Sequence, residues 1–231
     1  GVKVAEFGTR RRHSYEVHRL VVEALKDFGE GSYVGTSNVH FAMTTGVKPI
    51  GTHAHEWFMY HGARFGFKIA NGIGLDRWVN AYHGDLGIAL TDTYTTDVFF
   101  TQFNKKLAKL FDGVRHDSGD PVEFAQKTIE HYEKMGIDPL HKTIIFSDGL
   151  NLDKVKRISD ATSGKIGISF GIGTNLTNDV GLKPMNIVLK LISIAEPDLP
   201  WTNVVKLSDE KGKHTGDPKM IRLAKEILEI E

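Results

Sequence analysis

Two neighbouring histidines, one Arg–His–Asp string and several glycine turns supply the residue types for an anion-binding or group-transfer site. Residues 113–121 read GVRHDSGDP, where an apolar run ends in Arg115, His116 and Asp117 before Ser118, Gly119 and Asp120 lead on to Pro121. A cation and a carboxylate thus meet at one strand tip. A carboxylate there can hold sugar hydroxyls or a magnesium ion, and an arginine neutralises phosphate. Asp120, just before Pro121, reads equally well as an ordinary helix N-cap, and Asp117 does so less readily.

Residues 51–57, GTHAHEW, set His53 and His55 two apart with Glu56 beside them. The pair could ligate a metal if later strands supplied further ligands. Of the remaining histidines, His116 alone follows a strand, and His131 falls in a predicted surface helix. Alternatively one of the pair takes a phosphoryl group, for which a neutral imidazole is suited, or each is a satisfied structural histidine.

Residues 7–12, FGTRRR, bring an aromatic ring and three guanidinium forks to a strand end. Such forks bind carboxylate or phosphate bidentately, although a solvated basic turn has the same composition. GTSN, residues 35–38, offers small polar groups that also fit a helix N-cap. FSDG at 146–149 and FGIGT at 170–174 are strand ends with glycine turns, which let backbone N–H groups approach a phosphate. Neither a GxGxxG dinucleotide pattern nor a Walker loop occurs, so a phosphorylated sugar is favoured over bound NAD.

The elements that must position these clusters alternate between short apolar runs and longer amphipathic ones. Strands are predicted over 2–7, 33–35, 86–90, 114–115, 143–146 and 165–170, with a longer one over 185–194. Helices are predicted over about 16–28, 54–64, 95–110, 121–135 and 152–159, with a helical turn at 37–44, a polar loop over 206–218 and a last helix at the C-terminus. This pattern fits a barrel or an open doubly wound sheet, and both place chemistry at strand C-terminal ends. No internal repeat or low-complexity tract interrupts it.

Composition narrows the class. The 231 residues are 40% hydrophobic and 25% charged, which is the mix of a folded globular chain. Lys plus Arg balances Asp plus Glu at 29 each, so no bulk field draws the protein to nucleic acid or an anionic membrane. The absence of cysteine removes disulfides and thiolate chemistry and leaves a cytoplasmic location as the expectation. The longest apolar stretch, 187–195, is broken by Lys190 and falls short of the roughly 20 residues a membrane span needs. The opening GVKVAEF enters a strand at once, which suggests an N-terminal truncation.

The strings FGTRRR, VGTSN, GTHAHEW, GIALTDTYTTD, GVRHDSGDPVEF, IIFSDGLNLD and SFGIGTNLT occur in the order and spacing found in nicotinate phosphoribosyltransferases. The resemblance runs from Val4 to the C-terminal helix. It implies an irregular TIM-like α/β barrel, of the type II phosphoribosyltransferase kind, filling residues 1–231 as a catalytic domain and lacking the family's N-terminal α+β region. It further implies the joining of nicotinate to phosphoribosyl pyrophosphate, with ATP hydrolysis coupled and magnesium required, in a homodimer with shared active sites. Because part of the site wall comes from the partner's N-terminal region, these residues alone are expected to lack a competent site.

Position by position, the resemblance places Phe7 on the nicotinate ring, Arg10 beside its anionic groups, and Ser37 where amide-using relatives carry an aspartate that would repel a carboxylate. His55 matches the phosphoryl acceptor from ATP. Arg115 and Asp117 match the pair that handles pyrophosphate and ribose, with magnesium riding on the pyrophosphate and Asp117 as its candidate protein contact. Asp148, Gly149, Gly171, Gly173 and Thr174 fall in loops around the 5′-phosphate, and Arg11 and Arg12 match without an assigned role. Three alternatives stay open: a metal-dependent hydrolase built on His53 and His55, a relative acting on nicotinamide or quinolinate, and a non-catalytic domain that binds a phosphorylated sugar.

Overall fold

A computed structural model describes residues 2–210 and 212–230. In chain order it contains β1 (Lys3–Glu6), α1 (Tyr15–Phe28), β2 (Tyr33–Thr36), α2 (Val39–Thr45), α3 (His55–Phe65), α4 (Ala70–Tyr82), β3 (Ile88–Leu90), α5 (Thr96–Gln102), α6 (Lys105–Leu110) and β4 (Gly113–His116). There follow α7 (Pro121–Lys134), β5 (Thr143–Phe146), α8 (Leu152–Thr162), β6 (Gly167–Ile172), α9 (Thr174–Thr177) and, after several two-residue strands, α10 (Pro218–Leu228). These elements fall into two compact units, one of residues 1–51, 121–129 and 138–188, the other of residues 52–120, 130–137 and 189–231.

In the first unit the strands lie in the order β2-β1-β6-β5, and each pairing is parallel. Parallel neighbours need a crossover, supplied by helices such as α1, whose Ser14 N-cap accepts from the Val17 amide and whose buried side chains are His18 and Val22. The register sets Ala5 opposite Gly171 and Phe146 opposite Phe170, while a shift between Val4 and Ala5 brings Glu6 opposite Thr36. Because the four strands point the same way, the loops after Glu6, Thr36, Phe146 and Ile172 emerge along one edge of the sheet. Below them Ala5, Val22, Phe41, Ile144, Phe146, Ile158 and Phe170 form a buried apolar layer.

The second unit holds the parallel pair β3 and β4, with Leu90 opposite Arg115, so the polar runs after both strands leave side by side. Its core is aromatic: Phe58, Tyr94, Phe99, Phe103 and Phe111 are all buried, and Phe99 stacks on Phe103 at 4.9 Å. No helix among the described residues is long and apolar enough to cross a membrane.

Three sequence expectations change. The run 95–110 is two helices, because Phe103 leaves helical geometry and the Asn104 side chain caps a new helix by accepting from the Leu107 amide. The strand expected over 185–194 shrinks to Ser193–Ile194, paired with Thr202–Asn203, while Met185 and Leu189 stand exposed at 71% and 90%. Apolar composition favours a strand only where a neighbouring ladder covers it. The helix α4 has no counterpart among the expected elements, since its two glycines and a polar Asn71 blur the helical period.

Candidate active site

The second unit gathers His55, Arg115 and Asp117 around one carboxylate. His55 opens α3, Arg115 lies in β4 and Asp117 follows it. Asp117 Oδ2 is 3.0 Å from His55 Nε2, and Asp117 Oδ1 accepts from an Arg115 guanidinium nitrogen at 2.7 Å. An ionised carboxylate only accepts, so His55 Nε2 carries the proton that Asp117 receives. In the neutral ring the lone pair is then on Nδ1, which faces the Thr93 hydroxyl at 3.1 Å. Arg115 also donates from its other terminal nitrogen to Thr52 Oγ1 at 2.8 Å, so the guanidinium is held on both sides, and its backbone carbonyl accepts from Thr91 Oγ1. The Asp117 carboxylate is thus shared by a cation and an imidazole.

Asp92, Thr93, Ser118 and Lys206 belong to this cluster, although the sequence does not single them out. Asp92 is fully buried; its Oδ2 accepts from Ser118 Oγ at 2.7 Å and lies 3.5 Å from Lys206 Nζ, while Oδ1 is 3.6 Å from His55 Nε2. The available signal was the polar string TDTYTTD directly after the apolar residues of β3. Behind it, Asp209 accepts from both the Thr96 amide and hydroxyl. Burial pushes the Asp209 pKa up, against the pull of those two bonds.

One ligand atom each from His55, Asp92 and Asp117 lies within 4.8 Å of the others, a grouping that could hold a cation. Yet Arg115 already balances Asp117, and Lys206 approaches Asp92. This donor set suits a magnesium ion that brings its own phosphate ligands better than one caged by protein alone. His53 is not part of the grouping. It is buried against the rings of Trp78, Phe58 and Phe111, with Nδ1 on the Ile88 carbonyl at 3.1 Å. Burial drives its pKa down to about 4, and the charge of Arg115 adds to the shift. The two histidines therefore part ways: His53 is a neutral core ring and His55 faces the acidic cluster.

The first unit gathers a second set. The Phe7 amide donates to the Ile172 carbonyl at 2.8 Å, and a Cβ built on Gly171 would stand 2.6 Å from the Phe7 ring. Gly171 is thus the residue that lets an aromatic side chain lie on the sheet edge. A Cβ on Gly173 would come 3.1 Å from the Phe7 carbonyl oxygen, and Thr174 follows as the first residue of α9. Ser37 is exposed and its amide donates to the Glu6 carbonyl at 2.8 Å; Arg10 is exposed on the short turn Thr9–Arg11. Asp148 is half-buried in the loop after β5, where Gly149 adopts a positive φ of 53° that favours glycine. Arg11 reaches Asn186 Oδ1 at 2.8 Å. The expected residues thus divide between the units, with Phe7, Arg10, Ser37, Asp148, Gly149, Gly171, Gly173 and Thr174 in the first and His55, Arg115 and Asp117 in the second.

Comparison with known proteins gives one answer. The family model described as the nicotinate phosphoribosyltransferase (NAPRTase) family matches residues 2–231. A nicotinate phosphoribosyltransferase of Chromohalobacter salexigens is 62% identical over 230 residues, covering all of this chain and 59% of the relative. One from Desulforapulum autotrophicum is 49% identical over 99% of this chain and again 59% of the relative. Among solved structures, a nicotinate phosphoribosyltransferase from Porphyromonas gingivalis superposes with a TM-score of 0.96 at 50% identity, covering 99% of this chain and 60% of that one. The Vibrio cholerae structure of the same name gives 0.92 at 42% identity, covering all of this chain and 56% of that one. The chain therefore spans a little under three fifths of the length of the relatives it matches.

Proposed function

The chain belongs to the nicotinate phosphoribosyltransferase family, and from that premise we propose that it carries the catalytic residues for joining nicotinate to phosphoribosyl pyrophosphate. The products are nicotinate mononucleotide and pyrophosphate, in the salvage of NAD. The observation that carries this reading is the Asp117 carboxylate, held by Arg115 on one oxygen and His55 on the other.

The reaction breaks the bond from ribose C1 to the pyrophosphate oxygen, which leaves with the electron pair, and forms a bond from C1 to the pyridine nitrogen. Positive charge develops on the sugar and negative charge on the leaving group, so both signs are needed close together. Asp117 supplies the negative charge for the ribose, and Arg115, fixed by Thr52, supplies the positive charge for pyrophosphate. Magnesium bound to the pyrophosphate would share that charge. The pyridine nitrogen already has a lone pair, so no strong base is required. Phe7, lying over Gly171, offers a face for the flat ring, while neutral Ser37 and cationic Arg10 suit its carboxylate. The loops carrying Asp148, Gly149, Gly171, Gly173 and Thr174 are assigned to the 5′-phosphate.

For coupled ATP hydrolysis, His55 is the phosphoryl acceptor: Nδ1, its lone pair free because Asp117 keeps the proton on Nε2, bonds to the γ-phosphorus as ADP leaves with the electrons of the broken P–O bond, and water later cleaves the P–N bond to release phosphate; the Thr93 hydroxyl must turn aside to expose the lone pair. A homodimer with shared sites and a cytoplasmic location complete the proposal, both on family grounds. The test is labelling of the complete protein with γ-labelled ATP. Acid-labile, base-stable label is expected on the wild type and on His53→Asn, and none on His55→Ala. Label that survives on His55→Ala refutes the assignment. Bound zinc lost from both variants together with all activity would instead favour a metal-dependent hydrolase.

A further inference from the structure

At the end of β1 sits a buried carboxylate that the proposed chemistry does not use. Glu6 is completely buried. Its Oε1 accepts the Gly8 amide, and its Oε2 accepts the Thr36 hydroxyl at 2.5 Å and faces His18 Nε2 at 2.8 Å. Its backbone carbonyl takes the Ser37 amide. An ionisable group is rarely left in such a place unless every oxygen is satisfied. Burial alone would push its pKa up, but the bonds from His18, Thr36 and Gly8 outweigh that and hold it below the ordinary carboxyl value. Glu6 is therefore an anion with fixed directions of acceptance.

The partners continue into a closed ring. Thr36 Oγ1, while donating to Glu6, accepts the Asn38 amide at 3.0 Å. The Asn38 side chain donates to Thr9 Oγ1 at 3.2 Å and caps α2 by accepting the Phe41 amide at 3.0 Å. Thr9 adjoins Gly8, which returns to Glu6. This circuit laces the loop bearing Phe7 and Arg10 to the loop bearing Ser37, on adjacent strands of one unit. We propose that Glu6 is a positioning residue that fixes Phe7 against Ser37, and so sets how a planar, anionic pyridine is held between them. The inference deepens the reading above and rests on it.

The chemistry of the ring says how it fails. In Glu6→Gln, the Gly8 amide still needs an acceptor, so the side-chain amide oxygen stays there and the new NH2 faces Thr36 and His18. Thr36 Oγ1 would then accept from both that NH2 and the Asn38 amide, and its own proton would lose its partner. The turn at Ser37 and Asn38 shifts, while neither Arg115 nor Asp117 is a member of the ring. Misplacement of a binding group by less than an ångström is expected to raise the KM for nicotinate about tenfold, with kcat kept within about threefold.

The experiment measures kcat and KM for nicotinate in the complete protein for the wild type, Glu6→Gln, Thr36→Val and the packing control Val22→Ala. Thr36→Val cuts the same ring without altering the Glu6–His18 contact, and serves if Glu6→Gln fails to fold. The expected result is a raised KM at near-constant kcat in Glu6→Gln and Thr36→Val, with Val22→Ala lowering the melting temperature and leaving KM alone. Unchanged KM in a folded ring variant, or a KM that follows melting temperature across all three, overturns the inference. A wild type that turns over no nicotinate overturns instead the functional reading beneath it.

Discussion

Acid should destabilise this protein through His53, by an amount that the buried ring sets. The unfolded side chain titrates near 6.5, whereas the folded one is driven down to about 4, chiefly by burial among Trp78, Phe58 and Phe111. Between those values the unfolded chain binds a proton that the folded chain refuses. Stability therefore rises with pH through this window; the contribution is complete above about 6.5 and gone below about 4. At about 1.4 kcal/mol per unit, the full difference of roughly 2.5 units amounts to about 3 kcal/mol, and lowering the pH from 7 to 5 removes about 2 kcal/mol of it. His53→Asn keeps a donor for the Ile88 carbonyl and removes the titration. Urea unfolding of the complete protein at pH 7 and pH 5, wild type against His53→Asn, isolates the effect, since Glu6, His61, His131 and Asp209 titrate alike in both. The variant, less stable at pH 7 from lost packing, should lose about 2 kcal/mol less on acidification. Equal pH dependence in the two proteins would refute the account of His53 as a neutral core ring.

Asp117→Asn preserves volume but offers one acceptor where two are needed. Its oxygen stays on Arg115 and its NH2 meets His55 Nε2, forcing the ring proton to Nδ1; turnover should fall by about 100-fold or more with the fold intact by circular dichroism. Gly171→Ala places a methyl 2.6 Å from the Phe7 ring. The ring must move aside, at about 1–3 kcal/mol of stability, and calorimetry should show weakened nicotinate binding. Asp92→Asn should lower the yield of acid-labile label from γ-labelled ATP, because the buried charge beside His55 is lost while Ser118 can still donate to the amide oxygen.

Much of this was legible in the residues themselves. The α/β class followed from alternation; Arg115 and Asp117 were marked by lying at or just beyond a strand end, where chemistry collects, and His55 by its spacing from His53. What could not be read was which neighbour each polar group would find. His53 and His55 are alike in sequence and opposite in environment, and only packing against Trp78 tells them apart. Asp92 gains its partners only because β3 and β4 run side by side, which nothing in the string TDTYTTD reports. Glu6 ends an apolar strand, where a charge reads as solvent-facing; its set of donors depends on Thr36, thirty residues away. The run 185–194 misled for the converse reason, since its apolar side chains meet no ladder beyond Ser193–Ile194 among the described residues. Local pattern reports periodicity and capping, whereas partner choice is a property of the assembled sheet.

The most direct test of the central claim is the product itself. The complete protein is incubated with magnesium, phosphoribosyl pyrophosphate and, in separate reactions, nicotinate, nicotinamide or quinolinate, and the mixtures are read by mass spectrometry. Nicotinate mononucleotide and pyrophosphate should appear in equal amounts from nicotinate, with nicotinamide a poor substrate and no carbon dioxide released from quinolinate. Preference for nicotinamide, decarboxylation of quinolinate, or no nucleotide from nicotinate in a folded protein would contradict the account.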